Sequence, residues 1–446
     1  MKERIAFGTD GVRGLANRGL TPEDALRLGL SAARAFGGPI LIGRDTRLSG
    51  GMLSGALAAG IASGGATVID AGVLPTPGVA ALAPKLGAAA AGVISASHNP
   101  YPDNGIKFFS GEGRKLQESK EREISRLTAE DFDRPTGDDV GNVQTLPDAA
   151  SLYVEAMLKS LRPAAEGVKV LLDCANGAAF EAAPMAFEAL GARATLTGVR
   201  PTGTNINERC GSTHIEKLDV AGHDVAFAFD GDADRVLAVD ETGGVVDGDK
   251  IIAILARDLM QRDALAGGVV VTVMSNLGFF KSMDGLEIPY EVTAVGDKYV
   301  AEAMARLGAT VGGEQSGHVI LSEHVTTGDG LVTALALLDV MVRSGKPLSE
   351  LSRVMDVYPQ TLINVKVEEA GVAKSVAVSD AVERSVAAAE ARLDGEGRIL
   401  LRPSGTEPVV RVMVEHMDET VCREVCTEVA QAVSDAGSNG DRGFEV

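Results

Sequence analysis

The chain has 446 residues, enough for about three domains, or four if some are small, at roughly one domain per 150 residues. Its formal net charge of −20 excludes a general polyanion binder, because nucleic-acid affinity comes largely from clustered Lys and Arg; an anionic small molecule would need a local basic pocket. Hydrophobic residues make up 45% of the chain but aromatics only 4%, with no Trp, so the core must be built from Ala, Val, Leu and Ile, which suits Ala-rich helices on Val- and Ile-rich parallel strands.

No apolar targeting core opens the chain and no uninterrupted run of about 18 apolar residues appears, so a soluble, cytoplasmic protein is expected, with no membrane partner. Cys174, Cys210, Cys422 and Cys426 are too scattered for a disulfide framework, and reduced thiols are the expectation. Cys422 and Cys426 share an i,i+4 spacing but have no Cys/His pair beside them to complete a zinc site, so they read as small buried residues.

Near the N-terminus, Gly8-Thr9-Asp10-Gly11-Val12-Arg13-Gly14 is a glycine-rich loop in which Arg13 either faces an anion or is simply solvated. Thr21-Pro22-Glu23-Asp24 is a helix start, with a Thr cap and Pro at the first helical position, and the helix runs to about Phe36. The buried strand Pro39 to Gly43 delivers Arg44-Asp45-Thr46-Arg47 to its end, where two arginines either hold a phosphate or pair with Asp45. A small-residue helix, the strand Thr67 to Gly72 and a helix opened by Pro75-Thr76-Pro77 continue the β-α repetition.

The next strand ends in Gly92-Val93-Ile94-Ser95-Ala96-Ser97-His98-Asn99-Pro100, at the kind of strand end where α/β proteins place ligands. One serine there is an exposed nucleophile, or the hydroxyls merely bond nearby backbone; these residues alone leave both readings standing. Asp103-Asn104-Gly105 signals a tight turn, and Ile106-Lys107-Phe108-Phe109 a return strand bringing Lys107 back towards Ser97, as a base or as an ordinary strand lysine.

Further β-α units follow. The strand Asp224 to Phe229 runs into Asp230-Gly231-Asp232-Ala233-Asp234-Arg235, where three carboxylates alternating with small residues can fold around one hard cation. An EF-hand is rejected, because Arg235 stands where the sharp turn needs Gly and the flanks are strands. Lys298, in a turn entering a helix, is a possible phosphate contact. Gly312-Gly313-Glu314-Gln315-Ser316-Gly317-His318 presents a carboxylate, an amide, a hydroxyl and an imidazole together, a set that suits sugar hydroxyls. From Thr361 the pattern becomes that of a smaller α+β domain, whose loop Arg402-Pro403-Ser404-Gly405-Thr406-Glu407-Pro408, with Arg411 on the following strand, makes a phosphate cradle. The tail from Gly437 is polar and expected to be disordered.

These stretches, taken in order as Phe7 to Gly14, Ser95 to Pro100 with Asp103 to Phe109, Asp230 to Arg235, Gly313 to His318 and Arg402 to Pro408, resemble the α-D-phosphohexomutase superfamily over the whole chain. Within it, Ser95 to Pro100, Gly105 to Phe109 and Glu314 to His318 are spelled most like the bacterial branch acting on amino-sugar phosphates. The resemblance implies an α/β protein of three related α/β/α domains with mixed sheets plus a smaller C-terminal α+β domain, in a heart-shaped four-domain architecture with a central active site. The expected domains are residues 1–147, 148–248, 249–362 and 363–446.

It further implies interconversion of glucosamine-6-phosphate and glucosamine-1-phosphate through a bisphosphorylated sugar, feeding UDP-N-acetylglucosamine and cell-wall precursor synthesis. A phosphoglucomutase or phosphomannomutase is the alternative within the class; a non-catalytic sugar-phosphate binder and a metal phosphatase are the alternatives outside it. Ser97 matches the phosphoserine. Asp230, Asp232 and Asp234 match the Mg²⁺ ligands, with Ser97 as a fourth and one ion per chain. Glu314 and Ser316 match the sugar readers, and Arg402, Ser404, Gly405, Thr406 and Arg411 the distal phosphate site. Lys107, Arg13 and His318 are implied as acid/base or electrostatic helpers. Lys298 departs from the usual Arg and loses its fork geometry. A sugar bisphosphate such as glucosamine-1,6-bisphosphate is the implied activator, and a homodimer the assembly to test.

Overall fold

A computed structural model describes residues 4–8, 10–131, 133–367, 370–403 and 408–437. The chain forms two compact units, one of Met1–Ser275 with Leu286–Val354, the other of Asn276–Gly285 with Met355–Val446.

The first unit holds three sheets. The N-terminal part runs β1 (Val12–Leu15), α1 (Pro22–Phe36), β2 (Ile40–Arg44), α2 (Gly50–Ser63), β3 (Val68–Val73), α3 (Thr76–Lys85), β4 (Ala90–Ile94), β5 (Asp103–Ser110), α4 (Glu118–Leu127) and β6 (Val143–Thr145). Its sheet order is β1-β5-β4-β2-β3-β6. The central strands β2, β3 and β4 run parallel and β5 antiparallel to β4, so the sheet is mixed. Continuous apolar runs in β2 and β4 match burial on both faces. The start of α1 is a capping box: Asp24 N donates to Thr21 Oγ1 at 3.2 Å and Thr21 N donates to Asp24 Oδ2 at 3.1 Å.

Next come α5 (Ala149–Ser160), β7 (Lys169–Asp173), α6 (Ala179–Ala189), β8 (Arg193–Thr197), β9 (Val225–Phe229), β10 (Val236–Asp240) and β11 (Val245–Val246), in sheet order β11-β10-β9-β7-β8. Then follow α7 (Gly248–Gln261), β12 (Val269–Thr272), α8 (Leu277–Gly285), β13 (Tyr290–Thr293), α9 (Asp297–Leu307), β14 (Val311–Gly313), β15 (Val319–Leu321), α10 (Gly330–Ser344) and α11 (Leu348–Leu351), in sheet order β13-β12-β14-β15. One arrangement recurs in the three sheets. A strand paired in parallel on one side (β4, β9, β14) reverses through a loop into an antiparallel neighbour (β5, β10, β15). Those loops carry Ser97, the three aspartates, and Glu314 to His318.

The second unit contains α8 and the sheet β16-β18-β17, formed by β16 (Gln360–Lys366), β17 (Gly397–Pro403) and β18 (Val409–His416), with α12 (Ala370–Ala377), α13 (Asp380–Leu393) and α14 (Glu419–Gly437). Cys422 and Cys426 are buried on α14 against the sheet, with their thiols on backbone carbonyls of β18, as small core residues. All four cysteines are free. Among the described residues, no helix is long and apolar enough to cross a membrane.

One local expectation fails. Asp103-Asn104-Gly105 is not a turn but the first part of β5, paired with Leu15, Gly14 and Arg13 of β1. The turn signal is overridden because β1 supplies a strand partner, and the Asn104 side chain is engaged by Ser49 and by Gly105 N. The reversal therefore lies in residues 95–102, between β4 and β5.

Candidate active site

The loop after β4 folds inward. Ser97, 2% exposed, takes a left-handed backbone conformation with φ 52°, and its Oγ donates to Asp230 Oδ2 at 2.6 Å. Ser95 has a local part: its Oγ donates to Asp45 Oδ2 at 2.6 Å and accepts from Ser97 N at 2.9 Å. His98 Nδ1 lies 3.4 Å from Ser97 Oγ, and burial together with Arg235 and Arg13 lowers the proton affinity of its ring.

Asp230, Asp232 and Asp234 fill the β9–β10 turn, and one oxygen from each lies within 4.8 Å of the others. Ala233, with φ 58°, makes the bend, and Gly330 N holds its carbonyl at 3.0 Å. Thr76, at the start of α3, donates from Oγ1 to Asp232 Oδ2 at 2.6 Å. Lys107 Nζ lies 2.8 Å from Asp232 Oδ2 and 3.8 Å from Asp234 Oδ2. Gly231 lets this turn approach the serine loop, since a Cβ there would sit 2.5 Å from Ser97 O.

The three carboxyls differ in proton affinity. Burial and the charges of Asp234 and Asp232 push Asp230 well above the usual carboxylate range. Burial and Asp234 oppose ionisation of Asp232, but Lys107 and Thr76 outweigh them and its pKa falls. For Asp234, burial is outweighed by His318, Lys107 and Arg235, which hold it well below the ordinary value. Lys107 is buried, which alone would favour loss of its proton, but Asp232 and Asp234 hold that proton and raise its pKa. With both carboxylates beside it, Lys107 stands in this arrangement as a cation.

His318, 2% exposed, places Nδ1 3.6 Å from Asp234 Oδ2 and Nε2 3.6 Å from Asp297 Oδ2. Gly328 N donates to Nε2 at 3.2 Å, so the ring proton of the neutral form belongs on Nδ1, facing Asp234. Burial disfavours a second proton, but Asp234 and Asp297 reverse that and raise the pKa.

Ser97, Lys107, Arg13, Asp234 and Glu314 line one cleft of about 600 Å³, together with Arg235 and Lys298. The Nε atoms of Arg13 and Arg235 are buried without hydrogen-bond partners, which suits a bound anion. Glu314 is fixed by Gly296 N on Oε1 at 3.1 Å. Ser316 is exposed on the adjoining turn and does not line this cleft. Lys298 has Glu121 as its carboxylate neighbour, at 4.0 Å. In the second unit, Arg402 and Arg411 are direct partners across β17 and β18; burial and then the Arg411 charge lower the Arg402 pKa, so an anion beside the pair would relieve both. Ser404, Gly405 and Thr406 lie outside the described residues, as does the tail beyond Gly437.

The structure decides one alternative left open by the sequence and adds three residues to which the sequence reading assigned no role in the site. Asp45 and Arg47 form a buried ion pair beneath the serine loop, which answers the open question of phosphate or Asp45 in favour of Asp45. Thr76, Asn207 and Asp297 also join the site. Only Thr76 carried a local signal, the flanking prolines that start α3.

Family models of the phosphoglucomutase/phosphomannomutase fold match in order: alpha/beta/alpha domain I over residues 4–134, domain II over 151–244, domain III over 247–358, and the C-terminal domain over 362–432. The chain belongs to the phosphoglucomutase/phosphomannomutase family, with its four-domain α/β architecture. Among its relatives, a protein of Rubrobacter xylanophilus named phosphoglucosamine mutase is 68% identical over 441 residues, covering 98% of this chain and 99% of that protein. A Moorella thermoacetica protein of the same name is 51% identical, covering 92% of this chain and 95% of that one. Two solved structures agree in fold. A phosphoglucomutase/phosphomannomutase family protein of Burkholderia thailandensis has TM-score 0.82 and 24% identity, with 99% of each chain covered. Aspergillus fumigatus N-acetylphosphoglucosamine mutase, solved with GlcNAc-6P and magnesium, has TM-score 0.68 and 18% identity, covering 97% of this chain and 96% of that one.

Proposed function

We propose that the protein interconverts glucosamine-6-phosphate and glucosamine-1-phosphate, with Ser97 carrying the phosphoryl group. The observation that carries this reading is the 2.6 Å hydrogen bond from Ser97 Oγ to one member of a buried aspartate triad, in a cleft also lined by the cations Arg13, Lys107, Lys115, Arg235 and Lys298. Family membership and the shared name of its relatives at 68% and 51% identity support the reaction and the amino-sugar substrate.

The triad fits a divalent cation. Asp232 Oδ1 and Asp234 Oδ1 are buried without a hydrogen-bond partner, an expensive state that an oxygen-seeking ion relieves. Asp230, Asp232 and Asp234 would hold one Mg²⁺, with the phosphorylated Ser97 as a further ligand. When bound, the ion neutralises charge on the phosphoryl group.

Phosphoryl transfer depends chiefly on positioning and charge neutralisation. Ser97 delivers its phosphoryl group to a sugar-phosphate hydroxyl, and the resulting bisphosphate turns round before returning the other phosphate to Ser97. A sugar bisphosphate is thus both intermediate and activator. Lys107, Arg13 and Arg235 surround the transferring group as cations, His318 orients Asp234, and Glu314 reads sugar hydroxyls with Ser316 on the same turn. Arg402, Ser404, Gly405, Thr406 and Arg411 take the phosphate that is not reacting.

The test compares turnover of glucosamine-6-phosphate, glucose-1-phosphate and mannose-1-phosphate by the wild type and Ser97→Ala. The amino sugar should be the preferred substrate, and the alanine variant should be folded and inactive, gaining no phosphoryl mass on incubation with a sugar bisphosphate. Release of inorganic phosphate, or turnover by the alanine variant, overturns the mechanism.

A further inference from the structure

A serine in the left-handed region is held against its own backbone preference, so something around Ser97 must fix it there. Its N–H is bound by Ser95 Oγ, which is bound by Asp45. Its carbonyl is bound by Arg47, the ion-pair partner of that same Asp45, with Nε to Oδ2 at 2.8 Å and both side chains 0% exposed. Arg47 Nη2 donates to Ser97 O at 2.7 Å and Asn99 O at 2.8 Å, and Nη1 to Asp103 O at 3.0 Å and to Pro100 O. One guanidinium thus gathers three carbonyls of the loop that reverses β4 into β5 and that of Asp103 at the start of β5. Asn207 Nδ2 reaches Ser97 O at 3.0 Å and Asn99 O at 3.2 Å from the neighbouring sheet's connecting segment.

We propose that Arg47 is a positioning residue for phosphoryl transfer: its planar fork locks the Ser97 backbone so that Oγ stays directed at Asp230, with Asn207 as second holder. The proposal rests on the reading of Ser97 as phosphoryl carrier. A fully buried ion pair is weak evidence for stability, because desolvating two charges offsets their attraction. What this pair supplies is geometry: five donors in a fixed plane reach several carbonyls at once, which a lysine ammonium at the end of a flexible stem cannot reproduce. Lysine nevertheless keeps the charge that Asp45 requires. Such a lock is felt in the chemical step, where misplacement of about 1 Å costs on the order of a hundredfold, and not in binding of the sugar phosphate.

The test uses the full chain as Arg47→Lys and Asn207→Ala, with the folded fraction of each measured by circular dichroism and all rates given per folded molecule. Steady-state turnover of glucosamine-1-phosphate is combined with the rate at which Ser97 gains a phosphoryl group from a sugar bisphosphate, read by intact mass. Arg47→Lys should lower kcat at least about thirtyfold with KM changed less than about threefold, and Ser97 phosphorylation should slow in step. Asn207→Ala should show the same kcat-only loss, about five- to tenfold, and it decides the matter if Arg47→Lys does not fold. A purely structural clamp predicts less folded protein with unchanged kcat; that result, or a loss confined to KM, overturns the proposal. If the wild type itself neither turns over nor gains phosphate, it is the Ser97 reading that fails.

Discussion

Asp329 caps α10 through Oδ1, which accepts from Val332 N at 3.0 Å, and its two oxygens accept from Tyr153 OH at 2.8 and 2.7 Å. It is 0% exposed, and burial outweighs those hydrogen bonds and lifts its pKa to about 6. An unfolded aspartate titrates near 3.9. Because the folded-state pKa is the higher, the stability linked to this proton is fully present below pH ~4 and is lost as pH rises through about 6. About two pKa units correspond to ~3 kcal/mol. For a unit of about 340 residues, the unfolding entropy is roughly 0.7 kcal/mol/K, so the loss amounts to ~4 °C in Tm. Asp329→Asn keeps a good capping side chain and has no proton to lose. Thermal melts of wild type and Asp329→Asn at pH 4 and 7.5 should show the variant gaining ~4 °C relative to wild type at the higher pH. A Tm difference that does not change with pH refutes the reasoning.

Two further outcomes follow from the site. Millimolar MgCl₂ should raise the wild-type Tm, since a ligand at a hundred times its Kd stabilises by ~2.7 kcal/mol, and Asp232→Asn/Asp234→Asn should lose most of that rise; an equal rise in both proteins, read by differential scanning fluorimetry, removes the metal from the triad. Gly328→Ala places a Cβ about 2.4 Å from the His318 ring, which must then shift by about 1 Å from its place between Asp234 and Asp297. Turnover should fall on the order of a hundredfold in the folded variant, and full activity would show that His318 needs no fixed place.

The repeating β-α pattern was legible because buried parallel strands announce themselves as short apolar runs, as in β2 and β4. Asp230, Asp232 and Asp234 were legible because three carboxylates on alternate residues need a reason. Local motifs do not reveal which residues from distant segments meet. Thr76 joins Asp232 across 156 positions, and Asn207 joins Ser97 across 110. Arg47 read equally as a phosphate ligand or a partner of Asp45, since the carbonyls it holds belong to a loop some fifty residues on. The turn misread at Asp103 has the same cause: its strand partner, β1, is remote in sequence.

The reversal of a parallel strand into an antiparallel neighbour, repeated in three sheets, bears on how the protein acquires its chemistry during folding. Each repeat can nucleate its own sheet from nearby segments, yet none alone assembles the groups around the aspartate turn: Lys107 comes from the first sheet, the aspartates from the second and His318 from the third. The contacts that bring these groups together join segments far apart in sequence, and their loop-closure cost makes them late events. Recovery of turnover followed during refolding would therefore time the docking of the three repeats rather than the formation of any one of them.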